Sequence, residues 1–345
     1  MGGLAGVFLT PGPVNENRVR IAFQPDYMAT VMTGSRPQVI LFHSEASDPR
    51  WPDAIQRALP EFEVRRTLDG IPPEDVVAAV VWKHPSGMLE SLSNLRLIQV
   101  LGAGVDHFLA DPRLPRGVPI ARLVDPGLAA RMTEYVLLQT LALHRRLDET
   151  AKAQRERRWT FIHPAPPERC CVGVLGLGQL GLSCASTLSA FGFKVVGWSR
   201  SRKHRPKFDT YAGQDELAEF RRRCDVLVLL LPLTAQTCGL VDAGFLEDIR
   251  EGATLINVAR GALIDEAALI AALDGGRLRH AVLDVFQQEP LPADHPFWAH
   301  PRITVTPHNS SATNPDTAIG QITENIRRAL SGLAPLHVVD PRAGY

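Results

Sequence analysis

From Pro37 onward, short apolar runs of strand length alternate with longer segments whose apolar residues recur at helical spacing. Residues 38–42, 61–65, 78–82 and 97–100 read as strands, with a helix around 52–59. Strands at such intervals imply parallel pairing through crossovers. Residues 125–158 read as one long helix, with Leu128, Met132, Tyr135, Val136, Leu138 and Leu141 wrapping more than one face. A stripe that wide needs burial on two sides, so the helix is expected to connect two domains and to form part of a subunit interface. Pro164, Pro166 and Pro167 cannot continue it. Beyond them come strand 172–175, helix 179–191, strand 194–198, a helix near 215–223 and strand 226–230. A helix near 243–249, strand 254–258, helix 266–273, strands 281–285 and 303–306 and helix 315–330 complete a doubly wound α/β pattern. The final segment is expected to fold back onto the first domain.

The run 172–175 ends at Gly176, and Gly176-Leu177-Gly178-Gln179-Leu180-Gly181 is a G-x-G-x-x-G that opens the following helix. Glycine clusters also occur in turns that bind nothing, but strand, turn and helix stand here in the order that dinucleotide binding requires. The first glycine permits the tight turn, the second lets a pyrophosphate approach the backbone, and the third lets helix and strand pack closely. Phosphate would sit at the helix N-terminus, where amide N–H groups are unpaired. At the end of the second strand, where NAD-binding proteins carry Asp or Glu for the ribose hydroxyls, this chain has Ser199 and Arg200, followed by Arg202 and Lys203. A hydroxyl does not repel a 2′-phosphate and a guanidinium pairs with it, so NADPH is expected, with NADH weaker.

Composition narrows the partners. Thirty-seven basic and thirty-seven acidic residues cancel, which removes the bulk attraction to nucleic acid or to an anionic membrane and leaves a small-molecule substrate. No run approaches a membrane span. Cys170, Cys171, Cys184, Cys224 and Cys238 are odd in number and form no C-x-x-C pair, which fits neither a zinc site nor a disulfide framework. No metal is expected, and a cytoplasmic location is. Residues 1–36 lack a positively charged start and a continuous apolar stretch, so they read as a disordered extension or as an upstream misreading of the start, not as a signal peptide.

Ligands of open α/β sheets bind outside the carboxyl ends of the strands. Three such ends carry polar groups suited to one reaction: Arg260 in INVARG, Glu289 in DVFQQEP and His308 in TPHNS. Singly, they read as a surface charge, a solvated loop residue and a turn histidine. Together beside a dinucleotide site they fit reduction of a 2-oxo acid. The Arg260 fork pairs with carboxylate and carbonyl oxygens, which Lys cannot reproduce. His308 donates the proton, and Glu289 orients its imidazole. The glycine-rich strand end Leu101-Gly102-Ala103-Gly104-Val105-Asp106 is either a tight turn or an oxyanion nest whose Ala103 and Gly104 N–H groups bind the substrate carboxylate. Trp82 in VWKHP walls the pocket or is simply core.

The motifs VWKHP, LGAGVDHF, GLGQLG, GWSRSRK, LLPLTAQT, NVARG, LDVFQQEPLP, TPHNS and the VDPRAGY tail resemble those of the D-isomer-specific 2-hydroxyacid dehydrogenases. More narrowly they are similar to the glyoxylate/hydroxypyruvate reductase A group, over all of the chain except residues 1–36. The resemblance implies two Rossmann-like domains and a homodimer. A coenzyme domain, 131–311, is inserted into a discontinuous substrate-binding domain, 37–130 and 312–345. It also implies coenzyme contacts at Gly176, Gly178, Gln179, Leu180, Gly181, Ser199, Arg200, Ser201, Leu231, Pro232 and Asp284, substrate contacts at Trp82, Ala103, Gly104 and Arg260, and catalysis by Arg260, Glu289 and His308. Asn309 and Ser310 depart from the small apolar residues that many members carry there. The expected activity is NADPH-dependent reduction of glyoxylate and hydroxypyruvate. A bulkier 2-oxo acid, or a non-catalytic dinucleotide-sensing module, are the other readings.

Overall fold

The apolar runs pair into two sheets whose ladders are all parallel. The computed structural model describes residues 37–44, 48–163 and 165–345, and the extension expected over 1–36 lies outside the described residues. Residues 38–345 form one unit.

The first sheet is built from β1 (Val39–Ser44), helix α1 (Trp51–Ala58), β2 (Glu63–Arg65), β3 (Val76–Trp82), β4 (Leu97–Val100), the short helix α2 (Asp106–Leu109) and β5 (Ile120–Ala121). Its order β2-β1-β3-β4-β5 reverses direction beside β1, which opens a crevice at the strand ends. β2 is shorter than the sequence pattern predicts. Phe62 stays in the preceding turn because its N–H donates to Leu59 O at 3.2 Å and its carbonyl accepts from Gln56 Nε2 at 2.8 Å.

The long helix predicted over 125–158 is instead two, α3 (Pro126–His144) and α4 (Leu147–Arg155). Asp125 starts α3 by accepting from the N–H groups of Gly127 and Leu128. At the other end Arg146 adopts a left-handed conformation (φ 52°), and the Leu143 carbonyl is taken by Arg279 Nη2 at 2.8 Å. The same carbonyl accepts from Arg146 N–H at 3.1 Å, so a local turn and a long-range arginine share it at the helix end, and no glycine or proline marks the spot. The buried residues of α3, Leu128, Met132, Val136, Thr140 and Leu143, form a single line, and Leu138 is exposed, so the wide apolar stripe is covered on one side only.

The second sheet comprises β6 (Cys171–Leu175), α5 (Gln179–Ala190), β7 (Lys194–Ser199), β8 (Asp209–Ala212), α6 (Leu217–Arg222), β9 (Val226–Leu229), α7 (Ala243–Glu247), β10 (Ala253–Asn257), α8 (Glu266–Asp274), β11 (Leu278–Leu283) and β12 (Ile303–Val305). Its order is β12-β11-β10-β9-β6-β7-β8, with the reversal at β6 and β9. The polar edge strand β8, with only Tyr211 buried, escaped the pattern reading because nearly all its side chains are partly solvated. The sheet's two faces bury separate apolar clusters, one of which takes in Met132, Val136 and Leu143 of α3. The last helix, α9 (Pro315–Leu330), returns to the first sheet, where Ala318, Ile322 and Ile326 pack with Ile40, Phe42, Trp51 and Leu97.

Close packing explains the third glycine of the turn. A Cβ on Gly181 would stand 1.8 Å from Gly176 O, so any side chain there would push α5 off β6.

Candidate active site

Three consecutive neighbours in the second sheet, β10, β11 and β12, aim their carboxyl ends at one cleft, and their registers align Asn257 with Leu283 and Leu283 with Val305. After β10, the buried Asn257 shapes the NVARG turn: its Oδ1 accepts from Ala259 N–H at 3.1 Å and its Nδ2 donates to Arg260 O at 2.8 Å. The loop after β12 is held by Asp284, the buried residue that follows β11: its carboxylate accepts from Thr306 Oγ1 (2.6 Å) and from the N–H groups of Asn309 (3.0 Å) and Ser310 (2.9 Å). Both oxygens of Asp284, a residue expected among the coenzyme contacts, are thus engaged in holding the loop that carries His308. His308 itself takes a left-handed conformation (φ 51°), which so constrained a loop sustains.

His308 Nδ1 lies 2.8 Å from Glu289 Oε2, and Glu289 Oε1 accepts from Phe286 N–H at 3.1 Å. Burial alone would raise the Glu289 pKa. The hydrogen bond and charge of His308, the Phe286 amide and Lys83 outweigh it and hold the carboxyl down to about 2. Glu289 is therefore ionised throughout the neutral range, and with Nδ1 engaged, Nε2 is the ring nitrogen left to act.

The first sheet supplies the opposite wall. Arg260 Nε donates to Asp106 Oδ1 at 2.8 Å and Nη1 to Ala259 O at 2.7 Å, while Nη2 lies so close to the LGAGVD loop that a Cβ on Gly104 would meet it at 1.8 Å. With two edges of the guanidinium engaged, the Nη2 edge remains for a ligand. Among the described residues, the Ala103 and Gly104 N–H groups donate to no other group. Trp82 ends β3 against Gly102 and meets His107 edge-on at 4.4 Å. The pattern reading missed Lys83 and Asp106. Lys83, left-handed at φ 50°, reaches across the cleft to within 3.5 Å of Glu289 Oε2. Only the position of Lys83 directly after β3 in VWKHP, and of Asp106 at the close of the glycine-rich LGAGVD loop after β4, could have signalled them.

At the coenzyme side, Gly178 and Gln179 are exposed at the start of α5, and no atom lies within 4 Å of a Cβ built on Gly178. The turn thus leaves room for a pyrophosphate, and the residues present fit a dinucleotide. Leu180 is partly buried, and Leu231 and Pro232 follow the end of β9. Ser199 is buried, with its hydroxyl bonded to Ser201 O at 2.8 Å. Of the three cations that follow, Arg202 pairs with Glu216 and Thr210 O, and Lys203 Nζ donates to Leu177 O at 2.6 Å. Arg200 is exposed beside Tyr345, whose hydroxyl accepts from its Nη2. Local acceptors thus claim Arg202 and Lys203 and leave Arg200.

A fold of two parallel sheets with this strand-end constellation is that of a dehydrogenase, and residues 137–310 match the model of the D-isomer specific 2-hydroxyacid dehydrogenase NAD binding domain. The chain belongs to that family and is an NAD(P)-dependent oxidoreductase. It is 39% identical over 313 residues to glyoxylate/hydroxypyruvate reductase A of Yersinia enterocolitica, covering 89% of this chain and 99% of that protein. The same-named protein of Photorhabdus laumondii is 40% identical over 89% of this chain and 100% of its own length. Among solved structures, a D-isomer specific 2-hydroxyacid dehydrogenase from Xanthobacter autotrophicus in complex with NADPH superimposes with a TM-score of 0.85 at 43% identity, over 90% of this chain and 100% of that one. An NADPH-dependent glyoxylate/hydroxypyruvate reductase from Sinorhizobium meliloti, in complex with NADP and sulfate, gives 0.82 at 34% identity over the same shares.

His107, beneath Trp82, generates a prediction about pH and stability. Its Nε2 is buried without a partner, and burial pushes its pKa down to about 4. The folded ring is neutral while the unfolded ring takes a proton below about 6.5, so the stability this group contributes is whole above about 6.5 and drains away as pH falls toward 4. In His107→Phe, the drop in thermal midpoint between about pH 7.5 and about pH 5 should be smaller than in the wild type. An equal drop would show that the ring is charged in the folded state.

Proposed function

We propose that this enzyme reduces small 2-oxo acids with NADPH, glyoxylate to glycolate and hydroxypyruvate to D-glycerate. The convergence of Arg260, Glu289 and His308 on one cleft, opposite the Ala103 and Gly104 amides and beside the glycine turn, carries the reading. The names of its relatives support the choice of substrate.

When bound, the nicotinamide supplies a hydride to the carbonyl carbon. Arg260 and the Ala103 and Gly104 N–H groups hold the substrate carboxylate, and Asp106 fixes the plane of the guanidinium. His308 donates its Nε2 proton to the carbonyl oxygen. Glu289, bonded to Nδ1, keeps the ring aimed. Trp82 closes the pocket. Gly176, Gly178, Gln179, Leu180 and Gly181 receive the pyrophosphate, Leu231 and Pro232 line the cleft after β9, and Arg200, with Ser199 and Ser201, receives the 2′-phosphate.

We read 37–130 with 312–345 as the substrate-binding domain and 131–311 as the coenzyme domain. The packing of α9 on the first sheet and of α3 on the second supports this division. Exposed Leu138, Leu147, Phe161 and the fully exposed Trp159 support a homodimer built on α3, α4 and the segment after them. Five free thiols, four of them buried, support a reducing cytoplasm.

Arg260→Lys and His308→Gln should each remain folded and bind coenzyme while losing about 100-fold or more in kcat/KM for glyoxylate, since a point charge does not replace the fork and an amide does not donate the proton. Near-wild-type kcat/KM in either would remove that residue from the mechanism. Across a panel of 2-oxo acids with both coenzymes, NADPH should exceed NADH about tenfold or more in kcat/KM, and Ser199→Asp with Arg200→Ala should reverse the order. Equal use of both coenzymes at low salt, or faster turnover of bulky oxo acids than of glyoxylate and hydroxypyruvate, would refute the corresponding half of the proposal. Light scattering should give a mass about twice that of one chain, falling toward one chain in Trp159→Ser with Phe161→Ser.

A further inference from the structure

The end of the chain crosses from one sheet to the other. Val338 bridges Ala121 and Val339 N–H donates to Ile120 O at 2.8 Å, so the segment is tied to β5 of the first sheet. Residues 340–345 then close into a turn. Ala343 and Gly344 N–H groups donate to Asp340 O at 3.1 and 3.0 Å, and Asp340 N–H donates back to the Tyr345 main-chain oxygen at 3.1 Å. This turn leans on the second sheet. A Cβ on Gly344 would stand 3.1 Å from Thr234 Cγ2 in the loop after β9. The Tyr345 hydroxyl accepts a hydrogen bond from Arg200 Nη2, and the Arg200 guanidinium carbon lies 5.3 Å from the Tyr345 ring centre.

Of the cations after β7, Arg200 is the one paired with neither a carboxylate nor a main-chain carbonyl, because Glu216 and Leu177 O hold Arg202 and Lys203. A free arginine at a strand end samples many rotamers and loses that freedom when it grips a phosphate. An aromatic face under the guanidinium, with a hydroxyl at its edge, removes part of the freedom before the ligand arrives. The phenol keeps its own proton to offer to an anion.

We propose that Tyr345 is a specificity-determining positioning residue: anchored on the first sheet, it presents Arg200 to the 2′-phosphate of the dinucleotide and completes that subsite from across the cleft. This rests on the assignment of Ser199 and Arg200 made above. A subsite with walls on both sheets is complete only while the sheets are together, so recognition of the extra phosphate is linked to closure of the cleft.

The test is steady-state kinetics of the full chain with both coenzymes for Tyr345→Ala, Tyr345→Phe, Arg200→Ala and the double variant Arg200→Ala with Tyr345→Ala. Tyr345→Ala should raise KM for NADPH about five- to tenfold, the scale of one exposed cation–π contact with its hydrogen bond, and leave kcat and KM for NADH within about twofold. Tyr345→Phe, which keeps the ring, should recover part of the loss. Tyr345→Ala should add nothing to the NADPH defect of Arg200→Ala. Equal losses with NADPH and NADH, or additive defects in the double variant, would overturn the inference. If Arg200→Ala abolishes the NADPH preference while Tyr345→Ala retains it, this inference alone fails. If Arg200→Ala itself retains the preference, the assignment of Arg200 fails and the role of Tyr345 falls with it.

Discussion

The parallel register of β10, β11 and β12 is the constraint on which the site depends. Neighbouring strands stand about 4.8 Å apart, so residues that leave three adjacent strands just past aligned positions emerge within one side chain's reach of one another. Arg260 follows the aligned Asn257 by a tight turn, His308 follows Val305 by another, and Glu289 comes back on a longer loop to meet His308. A slip of one residue in either ladder would turn these side chains to the other face. The buried groups Asn257 and Asp284 convert that register into a fixed geometry. Each is a polar side chain in an apolar layer, and each is satisfied by the backbone of the very turn it shapes. Leaving such a buried acceptor unpaired costs about 1–3 kcal/mol, which is the energy that holds the turn in place.

Contacts between the sheets at this site are of a different kind. Lys83 with Glu289 is an ion pair at the water's edge, with Lys83 about half exposed, whereas Arg260 and Asp106 are mostly buried. The exposed pair contributes about 0–1 kcal/mol, far less than the apolar clusters on either sheet. The grip of Lys83 across the cleft is therefore weak beside the packing within each sheet. That division suits a site that has to admit a large coenzyme and then exclude water around a small acid.

Elements with strong apolar periodicity were legible in the sequence almost to the residue. Helix 315–330 and strand 97–100 are read off unaltered, and the three chemical residues fall where strand-end logic puts them. What stayed hidden depends on residues far away in sequence. Arg279, more than a hundred positions downstream, donates to the Leu143 carbonyl where α3 ends, a partner that no local signal announces. Asp284 looks like one more polar group at a strand end, and only the folded chain reveals that both its oxygens are consumed by the loop 306–310. Lys83 and Asp106 reach the site from the other sheet, a distance that pattern reading within one half of the chain does not span.

The basic run after β7 carries the same lesson into electrostatics. In sequence, Arg200, Arg202 and Lys203 are three cations within four residues. Each then meets a different neighbour: Arg202 a carboxylate fourteen positions on, Lys203 a carbonyl inside the glycine turn, and Arg200 an aromatic ring. A guanidinium neutralised by Glu216 offers little field to a second anion, and an ammonium bonded to Leu177 O is held at the glycine turn. An aromatic ring is the one partner of the three that orients a cation without cancelling its charge. Of the three charges, the one left without an anionic or main-chain partner is that of Arg200, and it is on this charge that the proposed 2′-phosphate subsite rests.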